Sequence, residues 1–154
     1  MKIFHNEEIY IKTDNFSDSI FKENTMFFDI ETTGFSPVKA IVYMIGCARR
    51  IKNRIVIDQY FAEVPDDEAD IIAAFASELK SCDTLISFNG VGFDMPFLRS
   101  KYKKYKQNDP FSSVKLIDIF KELTPLKPLL NLENYKQKSI EHFLGIERED
   151  KYSG

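Results

Sequence analysis

Two carboxylates, Asp29 and Glu31, stand two residues apart at the end of an apolar segment of the chain. Side chains at positions i and i+2 of a β-strand project from the same face, so a strand here would place both acids together. Two like charges beside an apolar run are costly to desolvate unless a cation neutralises them. Mg²⁺ and Mn²⁺ prefer carboxylate oxygens and keep coordination sites for water and phosphate. The pair therefore indicates a divalent-metal site at the end of a buried strand.

A third acid, Asp94, follows a second apolar segment and an Asn89-Gly90 turn. Pro96 lies just beyond it, which is typical of the first turn of a helix. The simplest role for an Asp at such a position is to cap the helix, a contribution of about 1 kcal/mol. The alternative is a third ligand facing the crevice at the end of the sheet, where α/β proteins bind ligands. An isolated Asp-x-Glu is usually only the polar end of a strand, but the two segments together favour the metal site.

The elements that must position these acids follow from the apolar pattern of the chain. Apolar and β-branched runs predict strands at 25–30, 41–51, 54–62, 84–88 and 114–118. Amphipathic spacing and terminal signals predict helices from 65 to about 79, from 95 to about 105 and over 139–144. Residues 1–24 indicate a weak strand or an arm. Three consecutive strands followed by alternating helix and strand predict an α/β fold with a mixed sheet that begins as an antiparallel meander.

Composition narrows the class of protein further. The chain has 154 residues, 44% of them hydrophobic and 29% charged, which predicts one ordinary globular domain. Its net charge of −3 requires any nucleic acid to be bound through a local basic patch or through cations. The sequence lacks the run of about 18 apolar residues that a membrane span needs. Cys47 and Cys82, without metal-ligand spacing, fit a reduced cytoplasmic setting.

Two segments together resemble the first two sequence motifs of the DEDD 3′–5′ exonucleases, especially a bacterial branch of predicted exonucleases. They are Phe28-Asp29-Ile30-Glu31-Thr32-Thr33-Gly34 and Asn89-Gly90, Phe93-Asp94 and Pro96-Phe97-Leu98. A stretch at 139–150 also resembles that branch, so the resemblance covers roughly 25–154. It implies a ribonuclease H-like fold, with a mixed five-stranded sheet flanked by helices, in a single exonuclease domain over 1–154. It also implies two bound ions, Mg²⁺ or Mn²⁺.

The resemblance assigns expected roles to particular residues. Asp29, Glu31 and Asp94 would be catalytic metal ligands, with Asp29 bridging both ions. The reaction implied is stepwise hydrolysis of phosphodiester bonds at the single-stranded 3′ end of DNA or RNA. The resemblance places Thr32, Thr33 and Asn89 near the 3′-terminal nucleotide. From their own chemistry, Gly34, Phe35 and Lys101 are further residues expected to contact the substrate.

Three of the residues outside the acidic motifs carry open alternatives. Lys101 belongs to a dense basic stretch with interleaved tyrosines, which suits either a single strand of nucleic acid or a solvated helix face whose rings pack inward. Phe35 could wedge against a terminal base or pack in the core. Asp118 ends a predicted strand, where it could cap the next helix or support the site. His142 and Glu147 imitate the spacing of a later family motif, but they precede its place and receive no catalytic role.

The family's third motif, a fourth Asp preceded by a His or Tyr, is expected beyond Gly154. Either the sequence is part of a longer protein, which we favour, or the site is degenerate; without that motif we expect weak metal affinity and little turnover. Two competing functions stay open. One is an endonuclease or another phosphodiesterase with the same acidic sheet, and the other is a nucleic-acid-binding module that has lost catalysis.

Overall fold

The computed structural model describes residues 1–11 and 15–147. One mixed sheet contains β1 (Lys2–Ile9), β2 (Thr25–Thr32), β3 (Val42–Ile51), β4 (Arg54–Phe61), β5 (Thr84–Ser87) and β6 (Lys115–Asp118). The spatial order is β1-β4-β3-β2-β5-β6. β2, β3 and β4 form the predicted antiparallel meander, whereas β5 and β6 join β2 in parallel. The predicted mixed α/β sheet is therefore confirmed.

Among the described residues, three helices lie in connections between strands and three follow β6. They are α1 (Asn15–Ile20), α2 (Glu68–Leu79), α3 (Asp94–Lys104), α4 (Ile119–Leu123), α5 (Lys127–Leu130) and α6 (Gln137–Phe143). Short 3-10 helices span Pro65–Asp67, Pro110–Ser113 and Thr124–Leu126. α2 leads from β4 into β5, and α3 connects β5 to β6. Parallel neighbours need such long connections, because a tight turn can join only antiparallel strands. Within the part of the chain that the structure describes, no helix is both long and apolar enough to cross a membrane.

The N-terminal segment, expected to be a weak strand or an arm, forms a strand. β1 pairs with β4 in antiparallel register from Lys2↔Phe61 to Ile9↔Arg54, which makes the sheet six-stranded rather than five-stranded. All its side chains are exposed, including Phe4 at 45%. The apolar pattern indicates this strand only weakly, because the strand is held by backbone pairing to β4 and not by burial.

The core explains which way the acids face. Along β2, Met26, Phe28 and Ile30 are buried, and Phe28 stacks on Phe75 of α2 with ring centroids 5.4 Å apart. The residues between them project from the opposite face of the sheet. The strand period thus directs the acidic pair away from the core.

The chain divides into two compact units, Met1–Ile119 and Phe120–Gly154. The first contains the whole sheet together with α2 and α3. In the second, described as far as residue 147, the Lys127 ammonium lies 4.5 Å from the ring centroid of Phe120 and 4.8 Å from that of Tyr135. His142 and Glu147 are exposed in this unit. The last three residues of the 139–150 stretch lie outside the described residues.

Both cysteines, Cys47 and Cys82, are buried and free. Burial raises the pKa of the Cys47 thiol to about 12. Both are core residues, as the sequence predicted: Cys47 lies in β3, and Cys82 lies in the turn between α2 and β5.

Candidate active site

The acidic pair lies on the open face of β2. Asp29 and Glu31 both have exposed side chains, while Ile30 between them is buried. Across the sheet, Asp29 stands opposite Gly46 and Glu31 stands opposite Met44. A β-carbon built on Gly46 would have no neighbour within 4 Å, so the space beside Asp29 is open.

Asp94 meets β2 between these two acids. It begins α3, and its carboxylate Oδ1 accepts a hydrogen bond from the Ile30 backbone N–H at 3.1 Å. The parallel pairing of β5 with β2 ends at Phe27↔Ile86. The Ile30 N–H lies beyond this paired stretch, and the Asp94 carboxylate accepts its hydrogen bond instead of a β5 carbonyl. Asp94 is thus not the helix cap that a sequence signal alone would suggest, since Phe93 occupies that position.

The surroundings of Asp94 make its charge costly. The side chain is only 4% exposed. Burial, together with the nearby charge of Asp29, raises its pKa to about 6, although the hydrogen bond from Ile30 works in the opposite direction. A carboxyl group whose negative form is destabilised by a second carboxylate is a favourable place for a cation.

A tight turn delivers Asp94 to this position. Asn89 adopts a left-handed φ of 60°, and its carbonyl oxygen accepts hydrogen bonds from the N–H groups of Gly92 and Phe93 at 3.0 and 3.2 Å. The Gly90 carbonyl oxygen then accepts the Met95 N–H at 2.8 Å, inside the first turn of α3. The Asn-Gly pair is therefore structural as well as close to the acids.

Gly90 cannot carry a side chain without displacing the turn. A β-carbon built there would lie 2.6 Å from the Ser87 β-carbon and 3.4 Å from Asp94 Oδ2. We expect Gly90→Ala to lower the free energy of unfolding by about 1–3 kcal/mol through overpacking, as measured by urea denaturation. Gly46→Ala is the matched control, since open space surrounds that position. Equal losses in both variants would contradict the steric explanation.

The end of β2 and the loop after it carry four of the residues expected to contact substrate. The Thr32 hydroxyl donates to the Gly34 carbonyl oxygen at 2.9 Å, and the Thr33 hydroxyl accepts the Ile41 N–H at 2.9 Å. Gly34 does not have a positive φ, and a β-carbon on it would make an ordinary contact at 3.6 Å with Ala40. Phe35 is 91% exposed, so the alternative that it packs in the core is wrong.

Lys101 does not lie where a substrate contact was expected. It is 1% exposed, and its ammonium forms an ion pair with Glu68 at 2.9 Å while donating to the carbonyl oxygen of Ala40. Because Glu68 is completely buried, it draws the long side chain inward rather than leaving it for phosphate. The expectation of substrate contact at Lys101 is wrong. Tyr102, beside it, is also buried, as the alternative reading of the basic stretch predicted.

Two neighbours of the acids, Tyr43 and Glu68, were not identified from sequence, whereas support of the site by Asp118 was one of its two expected alternatives. Tyr43 lies near Glu31: burial, with the charge of Glu31, raises the pKa of Tyr43. Glu68 anchors Lys101, and Asp118 binds the turn before α3. A strand pattern shows Tyr43 only as an apolar residue, and Glu68 is indistinguishable from an ordinary acid in the first turn of a helix.

The donor set fits a hard divalent cation by its chemistry. All three candidate ligands, Asp29, Glu31 and Asp94, supply carboxylate oxygens. Across residues 1–11 and 15–147, however, no three acidic, histidine or cysteine side chains are arranged to hold an ion as they stand. The exposed side chains of Asp29 and Glu31 would have to turn toward Asp94 for an ion to be held.

Comparison with known proteins identifies the class to which this fold and site belong. A family model described as RNase_H superfamily matches residues 26–154, so the chain belongs to this superfamily. Among curated proteins, the uncharacterized protein YprB of Bacillus subtilis (strain 168) is 29% identical over 90 residues. That similarity covers 58% of this chain and 22% of YprB, so the chain spans about a fifth of the length of that relative.

Solved structures confirm the ribonuclease H-like fold. Escherichia coli exonuclease I in complex with a dA16 oligonucleotide has a TM-score of 0.58 and 17% identity, covering 82% of this chain and 37% of that chain. A zinc-bound form of its complex with single-stranded DNA has a TM-score of 0.59 and 18% identity, covering 84% of this chain and 36% of that chain. The family B DNA polymerase of Pyrobaculum calidifontis has a TM-score of 0.58 and 17% identity, covering 80% of this chain and 18% of that chain. At these identities the similarity establishes the fold.

Proposed function

We propose that this chain carries a metal-dependent 3′–5′ exonuclease domain that hydrolyses phosphodiester bonds by a two-metal mechanism. The observation that carries the proposal is the hydrogen bond from Ile30 to Asp94, which brings a buried carboxylate between the acids of β2. Exonuclease folds among the similar structures support the same assignment. We further propose one domain over 1–154, because the superfamily match runs through both compact units.

The proposed chemistry divides between the ions and the residues that hold them. Asp29, Glu31 and Asp94 would hold Mg²⁺ or Mn²⁺, and such ions supply an activated water and stabilise the leaving 3′ oxygen. Tyr43 would lie beside Glu31, close enough for the Glu31 charge to raise its pKa. The Ile30 N–H favours the ionised form of Asp94, which is the form that binds a cation. The hydrogen bond from Ile30 thus prepares a carboxylate before substrate arrives.

The proposed substrate is the single-stranded 3′ end of DNA or RNA. Phe35 presents an almost fully exposed ring, 6.3 Å from the ring of Phe93 and packed edge to face with it. Such a ring is suited to stacking on a base, whose π-face needs no sequence-specific partner. Asn89, with an exposed side chain next to the turn, would lie near the same terminal nucleotide. The two free buried cysteines agree with the cytoplasmic setting that we propose.

A labelled oligonucleotide tests the proposal directly. With Mn²⁺ present, a single strand labelled at its 5′ end should shorten in single-nucleotide steps, slowly, because the family's third motif is not part of this sequence. Asp29→Asn should slow this by more than about a hundredfold, because even groups that only support a metal ligand are worth 10–100-fold. Asp66→Asn, an exposed acid before α2, is the matched control and should leave the rate unchanged. Internal cuts would indicate an endonuclease, and equal rates with Asp29→Asn would disprove the site.

The second candidate function is a nucleic-acid-binding module of the same fold. It is favoured by the absence, among the residues described, of three ligands already arranged for an ion. Added Mn²⁺ separates the two, since an ion that binds only the native state must raise the melting temperature. No rise with the wild-type chain, together with retained binding of single strands, would favour the binding module.

A further inference from the structure

One buried carboxylate near the site takes no part in the chemistry proposed above. Asp118 is the last residue of β6 and is 4% exposed. It stands opposite Ser87, the last residue of β5, in the parallel register of the two strands. The chain leaving β5 at that point enters the turn that leads to Asp94. Asp118 therefore lies under the turn that delivers a proposed ligand.

Both oxygens of Asp118 bind this turn. Oδ1 accepts the Asn89 backbone N–H at 2.9 Å, and Oδ2 accepts the Val91 N–H at 3.0 Å. The two amides point at one carboxylate because Asn89 has a left-handed φ of 60°. A non-glycine residue is uncommon in this conformation, although Asn is enriched there. The carboxylate thus stabilises the backbone shape that the turn requires.

A short series of hydrogen bonds links Asp118 to β2. From Asn89 the turn closes onto the Gly92 and Phe93 amides, and α3 begins at Asp94 immediately afterwards. Asp94 then reaches the Ile30 N–H at 3.1 Å. A shift of the turn would therefore move the carboxylate that stands between the two acids of β2.

We propose that Asp118 is a positioning residue for the candidate site: by binding the Asn89 and Val91 amides, it fixes the turn that holds Asp94 against β2. The inference deepens the proposed exonuclease function and rests on it for its catalytic meaning. The structural part stands on its own, because the Ile30–Asp94 hydrogen bond exists without any metal. A carboxylate suits this task better than an amide, since two N–H donors need two acceptor oxygens and the Asn side chain has one.

The test compares Asp118→Asn with Asp109→Asn. Asp109 is the matched control, because its carboxylate also accepts a backbone N–H, from Phe111 at 2.9 Å, at the start of a short helix away from the acids. Hydrogen exchange measured by NMR reports on the amides of Asn89, Val91 and Ile30. Mn²⁺ affinity, measured by calorimetry, reports on the ligands. Neither measurement requires turnover.

In Asp118→Asn we expect faster exchange at Asn89 and Val91, and with it faster exchange at Ile30 than at the central amides of β3. Mn²⁺ affinity should fall about 10–100-fold, the range typical of groups that orient metal ligands. Asp109→Asn should change neither quantity. If Asp118→Asn does not fold, Asp118→Glu is measured in the same way, since it keeps two carboxylate oxygens on a side chain that is one methylene longer.

The positioning role is overturned if either variant loses protection at Asn89 and Val91 while Ile30 stays protected and Mn²⁺ affinity is unchanged. Failure of the proposed function has a different signature. In that case the wild-type chain and Asp29→Asn bind Mn²⁺ equally weakly, and the exchange of Ile30 still decides whether Asp118 holds Asp94.

Discussion

Replacing Lys101 by methionine should lower the free energy of unfolding by about 3–5 kcal/mol, the cost typical of leaving one partner of a buried ion pair alone. Glu68 has no exposed surface, and Lys101 is 1% exposed, with 2.9 Å between the ammonium and Oε1. Methionine preserves most of the volume of the lysine, so the loss reflects charge rather than a cavity. Urea denaturation measures it.

The rest of the Glu68 cluster cannot fully replace the missing charge. Burial raises the pKa of Glu68, but hydrogen bonds from Tyr105, Lys101 and Lys104 outweigh it, so the pKa lies below its usual value. Lys104 is about half exposed, and solvent screens its contribution. Lys101 is therefore the partner on which the ionised carboxylate depends.

Lys103→Met is the matched control for this prediction. It removes the same charge from the same helix, but Lys103 is exposed, so its effect should stay within about 0.5 kcal/mol. A loss below about 1 kcal/mol in Lys101→Met would contradict the buried pair. In the double variant with Glu68→Gln, the two losses should not add, since each removes the same interaction.

Asp94→Asn should stabilise the protein near pH 7.5, by up to about 3 kcal/mol, while removing a proposed metal ligand. The pKa of Asp94 is raised from 3.8 to about 6 by burial and by the charge of Asp29. Each pKa unit corresponds to about 1.4 kcal/mol. Asparagine keeps an oxygen that can accept the Ile30 N–H but carries no charge to desolvate.

The pH dependence of this effect has a definite sign. Between pH 3.8 and about 6 the folded protein holds the Asp94 proton while the unfolded chain releases its own. The stability contributed by Asp94 is therefore complete below about 3.8 and is lost as pH rises through about 6. Urea denaturation at several pH values should show the advantage of Asp94→Asn growing from pH 4 to pH 7.5.

Manganese provides the second half of the prediction. At pH 7.5 the ion should stabilise the wild-type chain, by about 2.7 kcal/mol at a hundred times its dissociation constant, and should stabilise Asp94→Asn far less. Asp109→Asn should respond to the ion as the wild-type chain does, because its acid lies apart from the three proposed ligands. An Asp94→Asn variant less stable than wild type at pH 7.5 would contradict the electrostatic account.

The sequence predicts those features of the site that depend on local periodicity. The alternation of β2 buries Phe28 and Ile30, and it directs Asp29 and Glu31 to the other face. A turn signal followed by a helix signal likewise predicts where α3 begins. Both patterns depend on neighbouring residues, so they are visible without tertiary structure.

Features that depend on distant partners are not visible in this way. Lys101 reads as one of several basic residues until Glu68, far away in sequence, is seen to be buried beside it. From sequence, Asp118 could either cap the helix after it or support the site, and its oxygens in fact bind a turn that precedes it by nearly thirty residues. In each case the partner residue is brought close by the packing of elements that are distant in sequence. No local sequence pattern predicts such a contact.

Because β1 lies at the edge of the sheet, it can detach without disturbing the strand that carries the acids. Within the described sheet it pairs with β4 alone, and none of its side chains is buried, so its attachment depends on backbone hydrogen bonds and on side-chain contacts such as His5–Asp58. Such a strand belongs to the low end of the range of local unfolding energies. Fraying there would leave the pairing of β2 with β3 and β5 intact, because those contacts lie on the far side of β4. The acids would thus keep their framework through openings that release the first strand of the chain.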